Sequence, residues 1–260
     1  ERVVVSQLAR SAGAYFSSEV GVPGQESYLA KVIPDRGAWL EFDLTPGDLL
    51  SVKIDNRKKI PVTMLLKAFG VGGDEDILRL FDAREVELDL VEEEVKGRLL
   101  AETVVNPDGQ VLLRKNDRIG KEQLETLWNQ GRTKVWVWET DPALAATLEK
   151  DNTQSGDDAT LELFRRLRPN EPARMENAKE YIHGLFFDTR RYNLGRVGRY
   201  KVNRRLGLDI PEMARLLTVG DVVAIVKGLL RLRDGLERDD DIDHLGNRRV
   251  RAVGELLQNQ

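Results

Sequence analysis

Two tight-turn signals near the start, Pro34-Asp35-Arg36-Gly37 and Thr45-Pro46-Gly47-Asp48, restrict the fold of this chain more than any other feature. In each, proline fixes φ and glycine accepts positive φ, so the chain reverses within a few residues. They separate strand candidates at 27–33, 37–43 and 49–55, and a β-branched run at 2–8 precedes them. Short strands joined by tight turns build an antiparallel meander. Residues 95–119 read as a small β-rich module with Asn106-Pro107-Asp108-Gly109 as its hairpin turn. Residues 134–139 read as a strand that alternates Val135 and Val137 against Trp136 and Trp138.

The period changes elsewhere. Pro61 can open a helix over 61–69, in which Met64, Leu65, Ala68 and Phe69 share a face, and Gly70-Val71-Gly72-Gly73 ends it. Further short helices are expected at 74–82 and 121–130. Beyond about residue 155 the pattern is mostly helical, with helices predicted at 157–167, 174–186, 197–206 and 219–234. Pro169 forbids easy continuation of the first. The last carries Asp221 near its start and Arg231 and Arg233 near its end, as the helix dipole favours. The fold class is α+β: a meander and a β-rich module early, a helical, bundle-like second half.

Composition excludes several kinds of chemistry. There are no cysteines and two histidines, which leaves no disulfide, no cysteine-ligated zinc and scarcely a histidine-based triad. A cysteine-free chain fits a reducing compartment. No apolar run approaches the length needed to cross a bilayer, and no signal peptide is visible. There is no Walker loop, and Gly195-x-x-Gly198 lacks the dinucleotide fingerprint. His183, in Tyr181-Ile182-His183-Gly184-Leu185-Phe186, reads as a packed structural histidine on an apolar helix.

The net charge of −4 conceals an uneven distribution. From Arg190 to Arg205 there are seven basic residues (Arg190, Arg191, Arg196, Arg199, Lys201, Arg204, Arg205) and no acid. Arg57-Lys58-Lys59 is a second basic knot. The long run is either a solvated helix face with scattered ion pairs or a surface that faces phosphate. Near the end, Asp239-Asp240-Asp241-Ile242-Asp243 leads into Arg248-Arg249-Val250-Arg251. The aspartate spacing imitates the opening of an EF-hand, but His244 stands where glycine is required and Val250 where a bidentate glutamate is required, so that reading fails. What remains is a solvated acidic loop, or a carboxylate held by arginines that accepts from a base edge. Trp39, after Arg36-Gly37-Ala38, is either core or a stacking platform for an unpaired base. The chain ends at Gln260 with no evident closing element, which suggests a piece of something longer.

Five segments, in order along the chain, resemble the lobe of the bacterial RNA polymerase β subunit. They are Arg2-Val3-Val4-Val5-Ser6-Gln7-Leu8-Ala9-Arg10 with the following Ser11 to Phe16, Ile33 to Phe42, Val52 to Pro61, Gly198 to Leu206, and Asp240 to Arg249. The resemblance implies an incoming strand from the protrusion domain (1–25), a lobe (26–235, with 90–150 as a β-rich submodule) and a segment returning to the protrusion (236–260). It implies a place beside downstream duplex DNA and the non-template strand. Trp39 matches the family's tryptophan that stacks on a non-template base. Arg10, Ile242, Asp243 and Arg248 match its pocket for the neighbouring guanine. Arg57, Lys58 and Arg199 are the expected phosphate contacts, and Arg2 and Val5 match positions bordering the rifamycin pocket.

The implied partners are DNA, the β′, α and ω subunits and σ factor, with no membrane, in the cytoplasm near the nucleoid. No cofactor belongs to this piece; the magnesium of the whole polymerase is bound by another subunit, and no catalytic residue is expected here. Two departures matter. The family usually has proline where this chain has Ala12, which is expected to loosen the loop carrying Arg10, and Asn56 replaces the first base of the basic knot. Two other functions stay open: a structural module docking σ factor or regulators, and a nuclease or nucleotide-binding enzyme using the aspartate run with magnesium.

Overall fold

A computed structural model describes residues 8–20, 26–55 and 57–258. Arg2, Val5, Asn56 and most of the strand expected at 2–8 lie outside them. In chain order the strands are β1 Leu8–Arg10, β2 Gly13–Val20, β3 Glu26–Ile33, β4 Leu40–Leu44, β5 Leu50–Ile54, β6 Ile60–Pro61, β7 Arg84–Asp89, β8 Val104–Val105, β9 Val111–Leu113, β10 Lys134–Glu139 and β11 Arg248–Val250. The helices are α1 Val62–Ala68, α2 Asp74–Leu80, α3 Glu92–Val95, α4 Lys121–Asn129, α5 Pro142–Lys150, α6 Gly156–Leu167, α7 Met175–Phe186, α8 Gly195–Leu206, α9 Val219–Arg233 and α10 Val253–Gln258. The class is α+β, as the sequence predicts. The chain divides into two compact units, one of residues 1–46, 52–59 and 164–260, the other of 47–51 and 60–163.

In the first unit β2, β3 and β4 form an antiparallel meander, Phe16 opposite Ala30 and Ala30 opposite Phe42, with β5 next to β4. Helices α8 and α9 pack on this sheet. Two glycines permit the close approach: a Cβ on Gly228 would meet the Phe16 ring at 2.7 Å, and one on Gly198 would meet Ala12 Cβ at 2.9 Å. Helix α9 opens with a capping box, in which Thr218 Oγ1 accepts from Asp221 N and Asp221 Oδ2 accepts from Thr218 N. A separate two-stranded ribbon pairs β1 with β11 antiparallel, joining residues 8–10 to 248–250.

The second unit has its own apolar core, in which Val95, Leu100, Val104, Ile119, Leu127 and Val137 are all fully enclosed. The turn at Asn106–Gly109 forms as expected, with Asn106 Oδ1 accepting from Asp108 and Gln110 N–H groups and Gly109 at φ 81°. Lys67 is wholly buried, yet its charge is matched by Asp74 at 2.7 Å and Asp151 at 3.2 Å. Thr63 adds a hydrogen bond to Asp151. A buried ammonium needs such partners, since burial without them costs several kcal/mol.

Two expectations fail locally. The Val/Trp alternation in β10 breaks at Trp138, which is buried while Trp136 is exposed. Asn116 accepts a hydrogen bond from the Trp138 indole, and Lys115 and Arg79 lie over its ring. Its polar edge and π face are therefore both satisfied in the interior. His183 is exposed rather than packed. The buried face of α7 is Ala178, Ile182 and Phe186, spaced by four, and His183 stands one residue off it.

Candidate nucleic-acid interface

The ribbon β1–β11 brings together residues that are far apart in sequence. Its register sets Arg10 directly across from Arg248, so both side chains leave the same face. Two guanidiniums so placed repel unless an anion intervenes, and Asp243 supplies it. Asp243 Oδ1 lies 2.8 Å from Arg248 Nη2 and 3.7 Å from Arg10 Nη2. The Arg248 hydrogen bond, aided by the charge of Arg10, holds the Asp243 carboxyl below the usual aspartate range. The three therefore form a charged notch that stays open, with 64% of the Asp243 side chain exposed. Ile242 beside it is half-buried.

The aspartate run is the scaffold of this notch. Asp239 accepts from Ser18 Oγ at 2.5 Å. Asp240 pairs with β2 through Phe16 N, at 2.8 Å, and accepts from Arg205 Nε at 2.8 Å. Asp241 Oδ1 accepts from the N–H groups of Asp243 and His244, and its carbonyl accepts from Asn247 Nδ2. Each carboxylate is committed to its own protein partner, and the four do not converge on a common point. The residues present do not fit a magnesium site, so no step is assigned to a metal here. The loop carrying Arg10 is also firmly held despite Ala12. Ser11 N donates to Asn247 O at 2.9 Å, and Tyr15 Oη donates to Ser11 O at 2.8 Å. These two hydrogen bonds restrain the loop that contains Ala12.

Trp39 is set by a different set of contacts. Gly37, at φ 118°, lies against Tyr192, where a Cβ would come within 2.8 Å of the ring. Arg36 pairs with Asn193 through both backbone hydrogen bonds, at 3.0 and 2.8 Å. Asp55, in the left-handed region at φ 48°, accepts from Trp39 N and donates its own N–H to Trp39 O. The backbone is thus fixed on both sides while the residue stays 38% exposed. Trp39 and Arg10 line one cleft of about 260 Å³, with Asp35, Arg249 and Arg251 on its walls. Asp243, Arg248 and Ile242 are not on that lining, so Arg10 alone belongs to both the cleft and the notch.

The remaining basic residues divide. Arg57 is exposed and donates to Leu167 O at the end of α6, at 2.6 Å. Lys59 pairs with Asp43, and Lys58 is exposed with no ion pair among the described residues. Arg199 corrects the expectation of a phosphate contact. It is fully buried, bidentate to Asp221 at 2.6 and 3.0 Å, and also donates to the carbonyls of Ala214 and Leu216. Other residues of the run also have acidic neighbours, but Arg190, Arg191 and Arg196 stay exposed. Arg190 and Arg191 sit near Asp188, Arg196 near Glu212, and Arg205 between Glu237 and Asp240. The acids missing from the run itself come from outside it.

A family model described as "RNA polymerase Rpb2, domain 2" matches residues 5–126 and 139–251. The chain belongs to this family. The whole chain also aligns with proteins named DNA-directed RNA polymerase subunit beta, at 36% identity in Syntrophotalea carbinolica, 38% in Flavobacterium psychrophilum and 41% in Methylacidiphilum infernorum. It spans 24%, 22% and 22% of those relatives. It is a region of an RNA polymerase β subunit. Within the Rpb2 domain 2 match lie Trp39, Arg10 and the notch residues alike.

Sequence reasoning missed three contributors. Asp55 fixes Trp39, and Arg249 and Arg251 line its cleft. Arg249 and Arg251 were legible as charges in the Arg248-Arg249-Val250-Arg251 run, but their position beside Trp39 depends on a pairing that spans the chain. Asp55 carried no signal of its own beyond closing the strand expected at 49–55 and lying in the Val52 to Pro61 segment.

Proposed function

We propose that this region lines the DNA channel of the polymerase, grips downstream DNA and holds non-template bases at the downstream edge of the bubble. One unpaired base stacks on Trp39. Its neighbour is read over the notch, where Asp243 accepts from an amino or imino donor and Arg10 and Arg248 donate to base acceptors. Arg57, Lys58, Arg249 and Arg251 supply phosphate attraction. Nucleotidyl transfer belongs to other parts of the enzyme, in complex with β′, α and ω subunits and σ factor, in the cytoplasm.

The observation that carries this reading is a half-open indole on a rigid backbone, sharing a cleft with the arginine that leads to the notch. A tryptophan serving only the core would be closed. Stacking on an aromatic is worth about 1–3 kcal/mol per base, enough to hold a flipped base without sequence selectivity. The test is Trp39→Ala in the assembled polymerase, with a fluorescent base analogue at the downstream bubble edge. The analogue is expected to brighten as stacking is lost, while nucleotide addition continues. Unchanged fluorescence would refute the stacking role.

A further inference from the structure

On the first unit a second cleft, of about 600 Å³, opens between the end of α8 and one side of α9. It shares no residue with the Trp39 cleft. The volume falls in the range of pockets that enclose a ligand or a few peptide side chains. Its floor is aliphatic: Leu206 from the end of α8, Leu208 from the turn after it, Val223 and Ala224 from α9. Gly207 lies in the left-handed region at φ 66°, so the chain turns back sharply and carries Leu208 to the wall. Gly220 adds no side chain, and a Cβ there would meet only Thr218 Oγ1, at 3.6 Å.

The rim has the opposite character. Arg204, Lys227 and Arg231 stand around the floor with a single carboxylate, Glu237. Glu237 is already 3.2 Å from Arg205 and only loosely placed, at 3.7 Å, to Arg231. Arg205 is spent on Asp240 and on the Phe16 ring, 4.6 Å away, which seals the bottom of the cleft. The net positive charge therefore faces outward from Arg204 and Arg231.

We propose that this cleft docks an acidic peptide segment of a protein partner, one that places an aliphatic or aromatic side chain on the Val223–Ala224 floor and carboxylates against Arg204 and Arg231. Charge complementarity fixes the sign of the partner, and the floor fixes its class. A DNA backbone would satisfy the rim and leave the aliphatic floor without a partner. A peptide with alternating acidic and apolar residues satisfies both.

The experiment measures fluorescence anisotropy of a fluorescein-labelled peptide, in which aspartates flank a phenylalanine and a leucine, on the full-length protein. Saturable binding is expected. Ala224→Phe fills the floor without altering charge and should weaken binding by about tenfold, or ~1.4 kcal/mol, with the thermal midpoint unchanged. Arg204→Glu, at an exposed position, should weaken binding and reduce its dependence on salt. The proposal is overturned by an absence of saturable binding, by equal affinity for an oligo-aspartate of the same charge, or by a peptide affinity indifferent to Ala224→Phe. Displacement of the peptide by a single-stranded oligonucleotide at equal affinity would assign the rim to nucleic acid instead.

Discussion

Arg199 meets Asp221 at 2.6 Å with neither side chain exposed, whereas Arg248 and Arg10 meet Asp243 at 2.8 and 3.7 Å in the open. The groups are chemically the same; what differs is the company they keep. Four of the five N–H groups of Arg199 end on protein oxygens, and Asp221 also closes the capping box of α9. With neither side chain open to solvent, no ligand can reach the pair, and it serves packing. In the notch one carboxylate is shared by two guanidiniums, which leaves donors unspent at the surface. A buried ion pair contributes little net stability but is costly to break on one side only, while an exposed one contributes little either way. The first arrangement suits a scaffold and the second a recognition surface.

The largest effect that could break this contrast comes from Arg199→Met. It should cost about 3–5 kcal/mol by stranding the Asp221 carboxylate, read as faster hydrogen exchange of α8 and α9 amides. Adding Asp221→Leu should recover most of the loss and leave about 1 kcal/mol, the share of the lost helix cap. If Arg199→Met instead lowered DNA affinity with α8 and α9 unaltered, the scaffold assignment would be wrong. Next in size is Asp243→Asn. It keeps the shape and removes the charge, so preference for guanine at the neighbouring base should fall severalfold while exchange in α8 and α9 stays unchanged. An equal loss for all four bases would make Asp243 structural.

The smallest effect is on titration. Because Arg248 and Arg10 depress the Asp243 pKa in the folded state, what the notch adds to stability is present above the ordinary aspartate range. It is lost as pH falls through the lowered folded value. The Asp243 carboxyl resonance should therefore titrate below ~3.9 and move upward in Arg248→Gln. A midpoint unmoved by that substitution would show the pair is not formed in solution.

How much of this was legible depended on range. Local chemistry carried the meander, since the turns at Pro34–Gly37 and Thr45–Asp48 act on their own neighbours, and it carried the helices ended by Gly70–Gly73 and Pro169. Strand β2 escaped notice because Ala14, Tyr15 and Phe16 are buried in succession and show no alternation. Helix α5 was missed although Asp141-Pro142 announces it, with Asp141 accepting from Ala143 N at its cap. Arg199 misled for a physical reason: in a stretch without acids it looks unpaired, but Asp221 reaches it from later in the chain, as Glu237 and Asp240 reach Arg205. Trp39, Arg10 and Asp243 stood out by resemblance to a known family. Spacing could not show that Arg10 and Asp243 meet, because they lie near opposite ends of the chain and so remote a pairing leaves no periodic trace.

The antiparallel pairing of Leu8 with Val250 has a consequence for biosynthesis. A nascent polypeptide emerging from the ribosome carries Arg10 and Trp39 early, but Arg10 has no strand to lie against until translation has passed residue 250. The charged notch is therefore among the last parts of this region to assemble. A chain halted before that point would carry Arg10 without its cross-strand neighbour Arg248 and without Asp243 held between them.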